Sequence, residues 1–194
     1  MTFFGVVASG TFPVLADAVL CLRLPAVSDY GAWVSERSES RAFLRPWEPT
    51  WSADDLTRAA FKRRVRRVQR DAAEQSGFAF LIFRRDDEAL LGGVTLSNIR
   101  RGVAQSASLG YWMSVRHAGR GYMRRAVDLT LDFAFGELRL HRVEAACIPG
   151  NERSLGLLEK AGFVREGYAR RYLLIDGRWQ DHVLLSRTAE EEGG

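Results

Sequence analysis

The segment Tyr111–Tyr122 has the residue types and spacing of an anion-binding loop. The alternating stretch 107–115 predicts a strand, and the apolar residues after Gly121 predict a helix, so the loop joins a strand to a helix. Gly119 and Gly121 permit backbone conformations closed to other residues and let a ligand approach the main chain. The free N–H groups and the dipole at the helix start favour a phosphate or pyrophosphate. A tight turn with solvated arginines explains the spacing equally well.

A second polar pattern runs from Asn151 to Phe163. Asn151 is a good helix N-cap, and Glu152 suits the positive end of a helix dipole. Lys160 suits the negative end, and Gly162 the residue that follows a helix. Helix stability alone explains these features.

Together the two segments resemble the GNAT acetyltransferases. Arg116–Gly121 matches the family's Arg/Gln-x-x-Gly-x-Gly/Ala element, and Asn151–Phe163 matches its second cofactor segment. The resemblance implies that the loop holds the pyrophosphate of coenzyme A and that the preceding strand pairs with the pantetheine arm. It implies contacts to acetyl-CoA from Met113, Ser114, Val115, Arg116, Gly119, Arg120, Gly121, Tyr122, Met123, Asn151 and Ser154.

Further motifs are similar to those of the RimJ/RimL-type ribosomal-protein-alanine N-acetyltransferases, with the RimJ branch nearest. They are Phe43–Pro49, Ser97-Asn98, Arg101-Gly102, Leu109–Tyr111, Glu166–Ala169 and Tyr172–His182. The resemblance divides the chain into an N-terminal extension (1–17), an acetyltransferase domain (18–188) and a tail (189–194). One departure is Arg124-Arg125-Ala126, where many relatives carry Thr-Glu-Ala. Two arginines on the first helical turn oppose its dipole unless a phosphate offsets them.

The resemblance implies acetyl transfer from acetyl-CoA to an amine, which needs a neutral amine, a polarised thioester and a stabilised thiolate. Ser154 would hydrogen-bond the leaving sulfur, a role that a tyrosine could also take. A backbone N–H at the end of the 107–115 strand is the natural donor to the carbonyl. The candidate bases are Glu48 and Glu144, with Glu166 and Asp181 as further carboxylates, and water-mediated deprotonation stays open. The aromatic residues Trp47, Tyr168 and Tyr172 would frame a narrow slot for a small first residue such as alanine.

Hydrophobic periodicity predicts the elements that must position these residues. Strands are expected at 18–24, 78–84, 90–96, 107–115, 142–148, 163–167, 168–175 and 179–187, and helices at 27–43, 52–74, 121–138 and 151–161. Residues 1–17 read as irregular. This order suits neither a doubly wound fold nor a sandwich, and it predicts an α/β protein with a mixed central sheet and helices on both faces. The GNAT resemblance adds a β-bulge or splay at the cofactor strand.

Composition narrows the class of protein. With 194 residues, 46% apolar and 27% charged, the chain fits one globular domain and excludes collagen-like and disordered classes. Cys21 and Cys147 are too few for a disulfide framework and read as buried free thiols in a reducing compartment. The histidines occur singly, so no metal site is expected. No apolar run reaches the length of a membrane span, and we expect a cytoplasmic protein.

The net charge of +4 is a mild bias that suits an acidic ligand or an RNA-rich neighbourhood. Lys62–Arg70 forms a basic helical face, for which a solvated surface is the default interpretation. Docking to an acidic partner or to ribosomal RNA is the alternative.

The predicted activity is acetyl transfer from acetyl-CoA to the N-terminal α-amine of a protein, in particular to alanine of a ribosomal protein. Two alternatives stay open: acetylation of a small amine, and a ribosome-associated assembly factor that binds coenzyme A. The sequence leaves the oligomeric state open.

Overall fold

Eight strands form one mixed sheet in the computed structural model, which describes residues 12–189. The strands are β1 (Val14–Ala16), β2 (Leu20–Arg23), β3 (Phe78–Arg84), β4 (Leu90–Arg100), β5 (Ser106–Met113), β6 (Arg142–Cys147), β7 (Val164–Ile175) and β8 (Arg178–Thr188). Their order across the sheet is β1-β2-β3-β4-β5-β6-β8-β7. Only β5 and β6 run parallel; every other neighbouring pair in this described sheet is antiparallel.

The helices fall in the connections between these strands. They are α1 (Tyr30–Glu39), α2 (Arg41–Leu44), α3 (Arg58–Ala73), α4 (Tyr122–Asp132) and α5 (Glu152–Lys160). Short 3-10 turns cover Val27–Asp29 and Arg45–Trp47, and a π-helical turn, Phe133–Glu137, continues α4.

The alternating side chains of β3 separate two cores. Phe80 and Ile82 belong to the larger cluster, which includes the apolar faces of α4 and α5. Leu81 and Phe83 belong to a smaller cluster with side chains of α1 and α3. Because successive strand residues point to opposite faces, helices cover both sides of the sheet. The predicted mixed sheet with helices on both faces is confirmed.

β5 and β6 separate after a short stretch of pairing. Only Ser106–Ser108 pair with Arg142–Glu144, although β5 continues to Met113 and β6 to Cys147. Each strand keeps its other neighbour over this distance, β4 for β5 and β8 for β6. A gap therefore opens between two parts of the sheet, and backbone groups that face it have no strand partner there. The splay expected at the cofactor strand is present.

The N-terminal part of the domain differs from the prediction of irregular structure over 1–17. Val14–Ala16 form β1 and pair with β2, and the Leu15 side chain is buried. The carboxylate of Asp17 accepts hydrogen bonds from the N–H groups of Val19 and Leu20, both at 2.7 Å, which closes the turn between the strands. The irregular assignment is wrong for 14–16, and residues 1–11 lie outside the described part.

Helix α3 begins at Arg58, six residues after the predicted start at Ser52. The Ser52 N–H donates to the Asp55 carboxylate at 2.8 Å and its hydroxyl to Asp54 at 2.7 Å, which favours turns over helix. The Thr57 hydroxyl accepts from the Ala60 N–H and caps the helix. The single helix predicted over 27–43 is wrong, because Ser40 has a non-helical backbone (φ −85°, ψ 1°) that divides it into α1 and α2. The other predicted elements match the observed ones, apart from the extension of β4 to Arg100, the single strand β7 over 164–175 and the end of α4 at Asp132.

Candidate functional site

The glycine loop provides open backbone at the start of α4. Gly119 and Gly121 have φ angles of +78° and +81°, and Gly121 is the N-cap residue of α4. A Cβ at either position would meet no atom of the described residues within 4 Å, so the left-handed conformation, and not crowding, requires glycine. No side chain in the described range 12–189 caps α4, which leaves N–H groups of its first turn free for an anion.

The two loop arginines differ in their surroundings. Arg116 is held by α1, through a 3.3 Å contact from Nη1 to Glu36 and an ion pair with Glu39. Arg120 is exposed and has no ion-pair partner within residues 12–189. Arg120 is therefore the loop cation with its charge free for a ligand.

Carboxylates offset the two arginines that depart from the family pattern. Arg124 pairs with Asp128 one turn later at 2.9 Å, and Arg125 pairs with Asp17 at 2.9 Å. The unfavourable position of these cations at the positive end of α4 is compensated within the protein, without a phosphate.

Helix α1 fixes the start of the loop. Ser114 is completely buried, and its hydroxyl donates a short hydrogen bond to the buried carboxylate of Glu36. The Val115 N–H donates to the buried Ser40 hydroxyl at 3.0 Å. The Ser114 side chain is therefore engaged, and so is its backbone, because its N–H donates to the Leu91 carbonyl at 2.8 Å and its carbonyl accepts from the His117 N–H at 3.0 Å. The contact of Ser114 with the cofactor stays a prediction.

The remaining cofactor candidates near this loop are Met113, Met123 and Tyr122. Both methionine side chains are buried in the larger core. The Tyr122 hydroxyl lies 3.4 Å from Arg84 Nη1. Cofactor contacts from all three stay predictions.

Two hydroxyl groups meet at the gap between β5 and β6. Tyr111 Oη and Ser154 Oγ lie 2.7 Å apart, joining the separated end of β5 to α5. The Asn151 side chain accepts from the Ser154 N–H at 3.2 Å, as the predicted N-cap. Burial raises the pKa of Tyr111 to about 12, so the phenol stays protonated at neutral pH. The pair can therefore donate a hydrogen bond into the gap.

Both cysteines are free thiols. Cys147 is buried at the end of β6, as predicted, and burial raises its pKa. Cys21 is only half-buried, in β2, so the prediction of a buried thiol is wrong there.

The carboxylate of Glu48 fastens its loop to α1. Arg37 donates to both oxygens at 2.7 Å, and Trp51 Nε1 donates to one of them at 2.7 Å. The Arg37 guanidinium lies 4.2 Å from the ring centroid of Trp51 and 4.9 Å from that of Trp112. A Cβ at Gly93 would lie 2.5 Å from Trp112 Nε1, so glycine leaves room for this ring.

Glu144 lies elsewhere, at the point where β5 and β6 separate. It accepts from Arg100 and Arg142, both at 2.9 Å. Glu144 and Cys147 are three positions apart in β6, so their side chains point to opposite faces of the strand. The structure therefore gives Glu48, Glu144 and Ser154 three different sets of partners and does not bring them together.

The two further carboxylates are also engaged. Glu166 binds Arg142, which lowers its pKa to about 2. Asp181 accepts from the Arg171 N–H and the Tyr168 hydroxyl, both at 2.8 Å, and these bonds lower its pKa.

The predicted aromatic slot lies between a loop and the last hairpin. Trp47, Tyr168 and Tyr172 are 38%, 57% and 47% exposed. The loop and hairpin are joined where the Asp176 N–H donates to the Glu48 carbonyl at 3.0 Å. The aromatic side chains that are predicted to contact the acceptor are thus open to solvent, and their roles stay predictions.

Several important residues were not identified from the sequence. Tyr111 appeared there only as part of a motif, and Arg37, Glu36 and Ser40 did not appear as site residues. One signal was available: Trp33, Glu36 and Ser40 share a helix face by their spacing, and two polar residues on a face with a buried tryptophan indicate bonded partners.

Two further searches cover only the described residues. No group of three or more histidine, cysteine, aspartate or glutamate side chains within 12–189 could hold a metal ion. No helix in that range has the length and apolar character needed to cross a membrane.

Comparisons with known proteins agree with this geometry. A model of the acetyltransferase (GNAT) domain matches residues 19–164. The probable N-acetyltransferase YjcK of Bacillus subtilis (strain 168) is 36% identical over 173 residues, 89% of this chain and 96% of the relative. The ribosomal protein uS5-alanine N-acetyltransferase of Escherichia coli (strain K12) is 34% identical over 167 residues, 85% of this chain and 86% of the relative.

Solved structures are similar over most of the chain. The ribosomal-protein-S5-alanine acetyltransferase of Vibrio fischeri has a TM-score of 0.86 at 33% identity, covering 93% of this chain and 99% of that one. RimJ of Mycobacterium smegmatis, solved in complex with CoA-disulfide, has a TM-score of 0.84 at 32% identity, covering 90% and 84%. With the splayed sheet and the glycine loop, these matches show that the chain belongs to the GNAT family and is an acetyl-CoA-dependent N-acetyltransferase.

Proposed function

We propose that this enzyme acetylates the N-terminal α-amine of a protein, with the alanine terminus of a ribosomal protein as its acceptor in the cytoplasm. The observation that carries the choice of an α-amine is the state of the carboxylates. Glu48, Glu144, Glu166 and Asp181 each accept hydrogen bonds from arginine side chains or other donors. No carboxylate among these four is free to serve as a strong base.

An α-amine needs less help from a base than a lysine does. Its unperturbed pKa is about 7.7–8.0, against about 10.4 for the lysine ε-amine. At neutral pH a useful fraction of N-termini is already neutral, and water can take the proton released on attack. An active site without a free carboxylate base therefore suits α-amines.

The residues around the gap fit acetyl-CoA. Gly119, Gly121 and the first turn of α4 would hold the pyrophosphate, with Arg120 adding charge. The unpaired edge of β5 would hydrogen-bond the pantetheine arm. When bound, the cofactor supplies an acetyl thioester, the activated acyl group that an amine can attack.

The hydroxyl pair would stabilise the leaving group. In this mechanism the Ser154 hydroxyl would donate to the sulfur of the leaving group, and the Tyr111 hydroxyl, 2.7 Å from Ser154 Oγ, would donate to that oxygen. The N-cap bond from Asn151 holds the Ser154 backbone in place. A donor that is already oriented stabilises developing negative charge without reorganisation.

Two relatives that are named as acetyltransferases of a ribosomal-protein alanine support a ribosomal protein as the acceptor. The basic face of α3 adds a reason, since phosphates of ribosomal RNA would bind it in a salt-dependent way. We therefore extend the proposal to docking of Lys62–Arg70 on the ribosome or its precursors.

The test uses pairs of synthetic peptides with acetyl-CoA. A peptide that begins with alanine should gain one acetyl group at its terminus, and a copy with a blocked terminus and an internal lysine should not react. With the free peptide, kcat/KM should rise with pH and level off above about pH 8, following the α-amine. Mass spectrometry that places the acetyl group mainly on internal lysine would overturn the α-amine assignment.

A small amine is the second candidate acceptor. The spermidine N(1)-acetyltransferase of Vibrio cholerae is 33% identical over 102 residues, half of this chain. Faster turnover of spermidine than of any peptide in the panel would favour this candidate. Binding of coenzyme A without turnover of either class would favour an assembly factor.

A further inference from the structure

A small cavity lies between the loop that carries Glu48 and the turn that joins β7 to β8. It has a volume of about 230 Å³. Its lining consists of Arg41, Arg45, Pro49, Thr50, Trp51 and Asp176. The volume suits one side chain, and is far too small for a cofactor.

The lining of this cavity has a net positive charge. Arg45 pairs with Asp176 at 2.9 Å, so these two charges balance. Arg41 is exposed and has no ion-pair partner within residues 12–189. Its guanidinium lies 5.6 Å from the ring centroid of Trp51, which forms an apolar wall beside it. An arginine fork next to an aromatic wall matches a carboxylate carried on a short aliphatic stem.

A row of stacked groups links the cavity to the cofactor strand. The Arg37 guanidinium lies 4.9 Å from the ring centroid of Trp112 in β5 and 4.2 Å from that of Trp51. The Arg41 guanidinium lies 5.6 Å from the same Trp51 centroid. Trp112 follows Tyr111 in β5 and points to the opposite face of the sheet. The cavity is thus on the face away from the Tyr111–Ser154 pair, three stacked groups from the strand.

This separation suits a residue downstream of the acceptor amine. An extended peptide advances about 3.3–3.6 Å per residue. Three stacked groups, spaced by 4.2–5.6 Å, correspond to a few residues of such a peptide. A side chain after the first residue would therefore reach Arg41 while the terminal amine lies at the gap.

We propose that this cavity is a subsite for an acidic side chain, aspartate or glutamate, at one of positions 2 to 5 of the acceptor peptide. The proposal rests on the proposed function and names a feature of the substrate. The same charge disfavours a polyamine, whose second cationic group would meet Arg41.

The test measures KM for a series of peptides that begin with alanine and carry one glutamate, moved from position 2 to position 5. Each glutamate peptide is compared with its glutamine and lysine counterparts. At one position glutamate should lower KM about two- to fivefold relative to glutamine, as expected for one partly exposed ion pair, and lysine should raise it. The preference should weaken as salt is added, and kcat should stay unchanged.

Two variants separate this subsite from general electrostatics. Arg41→Gln should abolish the preference for glutamate, while Arg139→Gln, which removes the charge of another exposed arginine outside the cavity, should keep it. Equal KM values across the series, or a preference that survives Arg41→Gln, would overturn the subsite and leave α-amine acetylation standing. Absence of turnover with every peptide would instead overturn the proposed function, and the subsite with it.

Discussion

Tyr111 and Ser154 illustrate how the site depends on single atoms. Their hydroxyls lie 2.7 Å apart, and the bond crosses from a strand to a helix at the place where the sheet opens. The serine is also the third residue after the N-cap Asn151. Its N–H donates to the Asn151 side chain and stabilises the helix, whereas its hydroxyl bonds to Tyr111. Substitutions that remove only the hydroxyl can therefore test catalysis without disturbing the helix.

Ser154→Ala should reduce kcat by about ten- to a thousandfold, the scale of deleting one donor to a developing negative charge. Affinity for acetyl-CoA should change little, because the bond to sulfur strengthens only in the transition state. Steady-state kinetics with an alanine peptide, combined with calorimetry of coenzyme A binding, measures both effects.

The matched control for this variant is Ser38→Ala, since Ser38 is an exposed serine of α1. If Tyr111 acts through Ser154, Tyr111→Phe should add little to the loss in the double variant, because coupled residues are not additive. A fully active Ser154→Ala enzyme would reduce this serine to a first-turn helix residue.

Gly121→Val should abolish or strongly weaken coenzyme A binding while the fold is kept. A β-branched side chain at φ +81° is strained, and its Cβ would project into the open space where the loop meets phosphate. Calorimetry gives the affinity, and circular dichroism verifies the fold.

Gly31→Ala provides the comparison for this substitution. Gly31 lies inside α1, has no described atom within 4 Å of an added Cβ, and has an ordinary helical conformation. Its replacement should leave binding unchanged and stabilise the helix slightly. Unaltered affinity in Gly121→Val would mean that this loop does not hold the pyrophosphate.

Only some residue roles were predictable. The glycines and Asn151 have roles set by local backbone geometry, so their positions in the sequence indicated them. The contact of Arg116 with the cofactor stays a prediction, whereas its bonds to Glu36 and Glu39, about 80 positions earlier, had no signal in the sequence. A charge pattern shows that an arginine is present, whereas its partner depends on which helix the fold places beside it.

At the scale of elements, α3 carries an unusual charge pattern. Arg63 pairs with Asp54 and Arg70 with Asp71, but Lys62, Arg66 and Arg67 have no ion-pair partner in the described part of the chain. Lys62 and Arg66 are one turn apart, where like charges destabilise a helix. A polyanion would relieve that repulsion.

Replacing Lys62, Arg66 and Arg67 together by glutamine should weaken binding to a labelled RNA hairpin and reduce its salt dependence. Each lost phosphate contact lowers the slope of log K against log salt by nearly one. Fluorescence anisotropy over a range of salt concentrations measures both quantities. Turnover of an alanine peptide should stay at the wild-type level, because α3 carries none of the residues at the gap.

The double variant Arg63→Gln with Arg70→Gln is the control, since both arginines already have carboxylate partners. It should lose less RNA affinity per charge removed. Coincident binding curves for the wild type and the triple variant would identify the basic face as an ordinary solvated surface.

Element boundaries followed the sequence where one periodicity prevailed. The alternation of β5 and the Asp176-Gly177 turn were predictable because they are local, and both residues of the turn have positive φ. The start of α3 was misplaced because Ser52 and Asp55 bond each other in a turn. β1 was missed because three residues become a strand only through their pairing with β2.

At the scale of the whole molecule, the topology followed from the order of elements and from the resemblance together. Periodicity could place strands and helices, but it could not show that β5 and β6 separate after three residue pairs. That separation depends on what fills the space between strands, and the expectation came from the family. The cavity beside Arg41 had no signal, because loop and hairpin meet there over more than 120 residues of sequence.

Coenzyme A should raise the unfolding temperature of the protein, because it binds the folded state. A ligand that binds only the native state at one hundred times its Kd adds about 2.7 kcal/mol to the free energy of unfolding. Differential scanning calorimetry over a range of coenzyme A concentrations should show a steady rise. A transition temperature independent of concentration would contradict binding to the folded state.

The three residue pairs between β5 and β6 have a consequence for local opening. They form a narrow seam between β1–β5 on one side and β6, β8 and β7 on the other. Across such a seam few backbone hydrogen bonds must break, so the C-terminal hairpin can separate from the rest at a free energy below that of global unfolding. Amide hydrogen exchange in the segments paired across the seam, Ser106–Ser108 and Arg142–Glu144, should then be faster without coenzyme A than with it. A cofactor bound in the gap would replace the hydrogen bonds that β5 and β6 do not make with each other, and the two parts of the sheet would then unfold together.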